Sequence, residues 1–195
     1  MSILSDVLSF NHSFVENKGY EECRADKYPK KKMVIVSCMD TRLIELLPKS
    51  MGLKNGDAKI IKNAGAIVSH PFGSIMRSIL VALYSLKAKE VYVIGHHDCG
   101  MIGLHADPFL DIMKDRGIPP KTLDILVNSG VKLERWLEGF ESAEAGVRNS
   151  VSMIQNHPLL PPNTPVHCLI IHPETGKLDL VIDGYKAFET VPTEN

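Results

Sequence analysis

Apolar and polar positions form blocks along the chain that predict strands separated by helices. Between the strands, apolar residues recur at helical spacing, most clearly over 74–86, where Ser74 is expected to cap the helix. Strands that alternate with helices predict an α/β fold with a mainly parallel central sheet flanked by helices. Four short apolar runs predict strands: 33–37, 58–62, 91–95 and 166–171. The first, rich in β-branched residues, has the composition of a strand buried on both faces.

The second half of the chain completes this sheet. Residues 178–182 follow the turn at 173–176 and predict an antiparallel strand on the sheet edge, beside about four parallel strands. Residues 107–156 predict mostly helix. A shorter helix is predicted over 43–51, and Pro48 is expected to interrupt it early.

The chain is predicted to form a single domain over residues 1–195, a length sufficient for a sizeable buried core. Its parts are an N-terminal helix and connector (1–32), the core (33–183) and a polar tail (184–195). The helix is expected within residues 2–19, and its position ahead of the first strand suggests packing on a neighbouring subunit.

Charge and composition narrow the classes of partner. The chain has 22 Lys and Arg against 23 Asp and Glu, a formal net charge of −1, which predicts no binding of nucleic acid or anionic membranes. No apolar run approaches the ~18 residues of a membrane span. The first 14 residues lack the features of a signal peptide, so a cytoplasmic location with reduced cysteines is expected.

Two strand ends carry candidate metal ligands. The sequence Cys38-Met39-Asp40-Thr41-Arg42 follows the first strand, and His96-His97-Asp98-Cys99-Gly100 follows the third. Thiolate and neutral imidazole suit zinc, so Cys38, His96 and Cys99 are the candidate ligands. Three protein ligands with a fourth position open to water indicate a catalytic site, whereas a closed fourth position indicates a structural one.

Other readings of these residues stay open. Cys38 could be an inert buried cysteine, or could form a disulfide with Cys99, although a reducing compartment disfavours the second. Cys23 and Cys168 have no histidine at ligand spacing, and both are expected to serve in packing. Three histidines near glycine-containing turns are interpreted as polar turn residues: His70, His97 and His105.

The combination Cys38-x-Asp40-x-Arg42, followed some sixty residues later by His96-x-x-Cys99-Gly100, resembles the β-class carbonic anhydrases. The stretch from Gly56 to Val68 is similar to their small archaeal and bacterial branch. The resemblance is strong from Met33 to Met101 and continues more weakly into the last hairpin.

This resemblance implies one Zn²⁺ per subunit, held by Cys38, His96 and Cys99. It implies reversible hydration of carbon dioxide to bicarbonate and a proton by a zinc-bound hydroxide, with Asp40 and Arg42 as the catalytic pair. It also implies a homodimer or a multiple of dimers, in which the N-terminal helix embraces the partner.

The resemblance further implies two states of the site. With Arg42 paired to Asp40 the site is open; if Asp40 is released, its carboxylate becomes a fourth metal ligand and closes the site. The open state is expected near and above neutral pH.

One departure from the family leaves the substrate open. The segment Ser69–Ser74 is longer than the usual link to the next helix and bears on substrate access; within it His70 is either a proton shuttle or a solvated loop residue. Hydrolysis of carbonyl sulfide or carbon disulfide is the nearest alternative activity. The other alternative is a non-catalytic protein with a structural zinc, against which the presence of Arg42 argues.

Overall fold

The computed structural model describes residues 2–186, which contain one five-stranded sheet with the order β2-β1-β3-β4-β5. The first four strands are parallel, and β5 runs antiparallel to β4 at the edge. This confirms the predicted α/β fold and its antiparallel edge strand. The strands are β1 (Met33–Cys38), β2 (Ala58–Asn63), β3 (Glu90–His96), β4 (Val166–Ile171) and β5 (Leu178–Ile182).

Helices cover both faces of the sheet. The residues between β3 and β4 are mostly helical, as the sequence predicted. The helices are α1 (Ile3–Glu16), α2 (Leu43–Ser50), α3 (Ser74–Tyr84), α4 (Ala106–Asp115), α5 (Pro120–Asn128), α6 (Leu133–Leu137) and α7 (Ala143–Gln155).

The two faces of β1 belong to different hydrophobic clusters. Val34 and Val36 pack in a cluster with apolar residues of α3 and α7. Met33 and Ile35 pack in a second cluster with Leu43 of α2. Because successive side chains of a strand point to opposite faces, all six residues of β1 are buried. The strand is therefore fixed on both sides just before it reaches Cys38.

Two local predictions about helices were wrong. Pro48 lies inside α2 and does not interrupt it early. A proline removes one backbone hydrogen bond, but Leu43 and Leu47 are fully buried and hold the helix against the sheet. Ser74 is the first residue of α3, and Gly73 takes the cap position without a side-chain hydrogen bond.

The N-terminal helix α1 contributes no buried residue to the described structure. Apart from Phe14, its large apolar residues are more than half exposed, including Ile3 at 84% and Phe10 at 75%. Such a helix has its apolar surface available for another partner. Within residues 2–186, no helix combines the length and apolar content that a membrane span requires. Most of the predicted polar tail, residues 187–195, lies outside the described residues.

The parallel pairing of β1 with β3 positions the candidate ligands. Ser37 pairs with Ile94, so the carboxyl ends of the two strands lie side by side. Cys38 is the last residue of β1 and His96 the last of β3. Ligands of open α/β sheets bind at this edge.

Candidate metal centre

The structure brings Cys38, His96 and Cys99 together. One ligand atom of each lies within 4.8 Å of the other two, and all three residues are buried. The two sulfur atoms are 3.9 Å apart, and all four cysteines of the chain are free. A Cys38–Cys99 disulfide does not describe this arrangement, and Cys38 is buried beside two other potential metal ligands.

A glycine turn shapes the pocket around Cys38. The backbone N–H of Gly65 donates a hydrogen bond to Cys38 Sγ at 3.4 Å. Gly65 has a φ of 73°, a left-handed conformation that favours glycine. A Cβ atom there would lie 2.8 Å from Phe140 and 3.0 Å from Met101. The small-residue turn after β2 therefore allows the backbone to approach the sulfur.

The two ring nitrogens of His96 have different surroundings. Its Nδ1 lies 2.8 Å from the carbonyl oxygen of His97, which can only accept a hydrogen bond. Nδ1 therefore carries the proton, and Nε2 presents its lone pair. Among the described residues, Nε2 is buried without a hydrogen-bond partner. A cation between the three donors would satisfy this atom, so the residues present fit a metal ion.

The two thiols have opposite pKa shifts. The hydrogen bond from Cys99 lowers the pKa of Cys38, and the one from the backbone N–H of Gly65 acts in the same direction. The pKa of Cys99 is raised because it donates to Cys38 and is buried beside it. Cys38 is therefore favoured as a thiolate, and its negative charge disfavours ionisation of Cys99. A divalent cation removes that repulsion and stabilises both thiolates.

Asp40 and Arg42 form a close ion pair at the edge of this cluster. Arg42 donates from Nε to Asp40 Oδ1 at 3.0 Å and from Nη2 to Oδ2 at 2.8 Å, and its backbone N–H donates to Oδ1 at 2.8 Å. These bonds lower the pKa of Asp40 to about 2. Asp40 Oδ2 is 3.8 Å from His96 Nε2, within a short movement of the cluster.

Two further residues of the site were missed by the sequence reasoning. Asp98 accepts hydrogen bonds from Arg42 Nη1 at its carboxylate (2.9 Å) and from Nη2 at its carbonyl oxygen (3.0 Å). Lys62 donates from Nζ to the carbonyl oxygen of Cys38 at 3.2 Å and to Ser37 Oγ at 3.3 Å. A signal existed for Asp98, since an acid inside the His96–Cys99 turn is a natural partner for an arginine at the neighbouring strand end.

The remaining histidines lie outside the three-residue cluster. His70 is exposed in the 69–74 segment, where its Nδ1 accepts the N–H of Phe72 at 3.0 Å. His105 is exposed and lies 2.8 Å from Glu138. His97 is exposed, and its ring centroid is 5.9 Å from that of His172. The 69–74 segment and α6 line a cavity of about 700 Å³.

The other two cysteines differ from each other. Cys168 is fully buried in β4, in agreement with a packing role. Cys23 is exposed in a short 3₁₀ helix, so its predicted packing role was wrong. This helix, Gly19–Cys23, lies in the region predicted as connector. Cys23 belongs to neither of the two hydrophobic clusters of the described structure.

Known proteins share both the sequence pattern and the fold. A sequence model of the carbonic anhydrase family matches residues 33–178. The chain is 60% identical to YvdA of Bacillus subtilis, a provisionally named carbonic anhydrase, over 95% of this chain and 94% of that protein. It is 28% identical to a carbon disulfide hydrolase of Saccharolobus solfataricus, over 76% of each chain.

A solved structure agrees with these sequence comparisons. The crystal structure of β-carbonic anhydrase isoform I from Trichomonas vaginalis superposes with a TM-score of 0.86 at 35% identity, over 95% of this chain and all of that one. The matched region contains Cys38, His96 and Cys99 as well as Asp40 and Arg42. The chain therefore belongs to the β-carbonic anhydrase family.

Proposed function

We propose that this protein is a zinc-dependent carbonic anhydrase that catalyses the reversible hydration of carbon dioxide to bicarbonate and a proton. The observation that carries the proposal is the position of Asp40: Arg42 holds it by two parallel hydrogen bonds beside three buried metal donors. A carboxylate kept ionised next to a metal centre, yet paired to an arginine, suits the handling of a metal-activated water.

Cys38, His96 and Cys99 would hold the metal. Two thiolates and one neutral imidazole favour Zn²⁺ over the hard cations Mg²⁺ and Ca²⁺, which prefer oxygen ligands. When bound, zinc supplies a strong Lewis acid that lowers the pKa of a coordinated water to about 7. The half-buried ammonium of Lys62 offsets part of the negative charge that the thiolates place at the site.

Asp40 and Arg42 have distinct roles in this proposal. Asp40 is ionised at neutral pH. It would accept a hydrogen bond from the attacking water and so direct a lone pair of the water oxygen at the carbon of carbon dioxide. Arg42 keeps Asp40 ionised and away from the metal donors. If this pair separates, Asp40 is close enough to become a fourth ligand and to close the site, since Oδ2 is already 3.8 Å from His96 Nε2.

The working form is proposed to be a homodimer or a multiple of dimers in a reducing compartment such as the cytoplasm. The exposed apolar residues of α1 support the dimer, because a second subunit would bury them. The four free cysteines support a reducing compartment. Sedimentation of the full chain and of Phe10→Asp would test the dimer, which the charged variant is expected to weaken.

Hydrolysis of carbon disulfide or carbonyl sulfide is the second candidate. Relatives named as carbon disulfide hydrolases, one at 28% and one at 25% identity, support it, because the same donor set would activate water for these linear substrates. A permanently closed structural zinc is the third. The pairing of Arg42 with Asp40 argues against it, since a structural site needs no arginine to withhold the carboxylate.

Stopped-flow assays with carbon dioxide, carbonyl sulfide and carbon disulfide distinguish the three. Zinc-loaded wild type is expected to hydrate carbon dioxide, Asp40→Ala to lose most of this activity with its zinc retained, and Cys99→Ser to lose both. Activity on the sulfur compounds alone would replace the proposal with the second candidate. Full zinc content with no activity on any substrate would favour the structural role.

A further inference from the structure

Arg42 has a second acidic partner besides Asp40. Its Nη1 donates to the Asp98 carboxylate at 2.9 Å, and its Nη2 donates to the Asp98 carbonyl oxygen at 3.0 Å. Asp40 receives the Nε–H and the other Nη2–H. The two aspartates therefore use different N–H bonds of one guanidinium, so they do not compete for the same hydrogens.

The turn that carries two of the metal donors also holds the arginine. Asp98 lies between His96 and Cys99 and has a φ of 54°, a left-handed conformation that aspartate and asparagine tolerate better than most residues. In this conformation both its carboxylate and its carbonyl oxygen reach Arg42. The same short stretch of backbone therefore carries His96 and Cys99 and also positions the side chain of Arg42.

We propose that Asp98 is a positioning residue, which keeps Arg42 in place against Asp40 and thereby favours the open state of the metal centre. An arginine already ordered by one partner loses less conformational freedom when it pairs with a second. Without Asp98, Arg42 is less ordered, and the carboxylate of Asp40 turns more often toward the metal donors. The role rests on the proposed function, because it concerns the open and closed states described above.

Zinc release provides one test. In Asp98→Asn the side chain keeps its shape and its tolerance of the left-handed conformation but loses its charge. Zinc is expected to pass to a chelator about two- to fivefold more slowly than from wild type, because Asp40 more often adds a fourth ligand. In an Asp40→Ala background the same substitution is expected to have no effect. A purely structural role of Asp98 would speed zinc release, and that result or an unchanged rate would overturn the proposal.

A second readout needs neither zinc nor activity. In metal-free protein, the Arg42 Nε–H signal in NMR spectra is identified by its loss in Arg42→Lys. Its hydrogen exchange is expected to be about two- to fivefold faster in Asp98→Asn. The control is Asp111→Asn, which removes an exposed acid that pairs with Lys114 at 2.8 Å, and it is expected to leave the exchange unchanged. Equal exchange in wild type and Asp98→Asn would overturn the proposal.

The proposed function and the positioning role of Asp98 can be disproved separately. If zinc-loaded wild type does not hydrate carbon dioxide while Arg42 exchange responds to Asp98→Asn, the proposed function is wrong and the positioning role stands. If zinc-loaded wild type hydrates carbon dioxide and Arg42 exchange does not respond to Asp98→Asn, the proposed function stands and the positioning role is wrong.

Discussion

Arg42 donates to Asp40 through two parallel hydrogen bonds, from Nε to Oδ1 at 3.0 Å and from Nη2 to Oδ2 at 2.8 Å. This fork matches the planar geometry of a carboxylate, and lysine cannot reproduce it. It holds Asp40 as a carboxylate next to three candidate metal ligands without making it one of them. The proposed open state of the site depends on this pairing.

Removal of the fork is expected to close the site. Arg42→Gln should lower carbon dioxide hydration near neutral pH by about tenfold or more, because Asp40 loses its charged partner. Arg42→Lys is the matched control for charge, and it should recover only a small part of the rate because it lacks the fork. X-ray absorption at the zinc edge should show Asp40 as a ligand in Arg42→Gln. Wild-type activity in this variant would show that the pairing is dispensable.

Lys62 is expected to tune the pH dependence of activity. Its ammonium bonds the carbonyl oxygen of Cys38, so Lys62→Met removes a positive charge next to a metal thiolate. The midpoint of the pH–rate profile should rise by about half to one pH unit, because deprotonation of a metal-activated water becomes less favourable. Lys54→Met, at an exposed lysine, should leave the midpoint in place. Equal midpoints in Lys62→Met and wild type would remove Lys62 from the electrostatics of the site.

Gly65 is expected to matter both for stability and for metal retention. Gly65→Ala combines an unfavourable φ with the close approach of its Cβ to Phe140. Gly52→Ala is the matched control, since Gly52 has a φ of 61° and nothing within 4 Å of the added Cβ. The control should lose about 1 kcal/mol of unfolding free energy. Gly65→Ala should lose more and should also retain less zinc after dialysis against a chelator; equal losses would contradict the steric argument.

Burial of the Cys168 thiol predicts that the free energy of unfolding depends on pH, whether or not a metal is bound. Burial raises the pKa of this thiol to about 12 in the folded protein, from a reference value of 9.0. Between these values the unfolded chain binds fewer protons than the folded one, so the free energy of unfolding falls as pH rises. Relative to Cys168→Ala, wild type should lose about 2 kcal/mol between about pH 8 and pH 10.5.

Urea unfolding curves at several pH values provide the measurement. A difference between wild type and Cys168→Ala that does not change with pH would contradict the burial of a protonated thiol.

Two features of the site that follow from sequence patterns were predicted correctly. The apolar, β-branched run before Cys38 predicted a doubly buried strand, and β1 is one. The spacing of His96 and Cys99 after a second such strand predicted their approach to Cys38, because parallel strands end at the same edge of a sheet. The resemblance to a known family supplied the pairing of Asp40 with Arg42, which residue spacing alone left open.

The parts that depend on tertiary contacts were missed. The role of Asp98 follows from a positive φ and from the reach of Arg42 across two strand ends, neither of which a linear pattern encodes. Lys62 looked like an ordinary residue of β2, and only the register of β2 with β1 places its ammonium at Cys38. Pro48 was overestimated as a helix breaker, since burial of its neighbours in the core outweighs one lost hydrogen bond.

Zinc titration of the metal-free protein tests the central claim most directly. Carbon dioxide hydration, followed by stopped flow above neutral pH, is expected to rise linearly with added zinc and to reach its maximum at about one equivalent per chain. A protein that binds one equivalent of zinc and shows no hydration above the buffer rate would contradict the account.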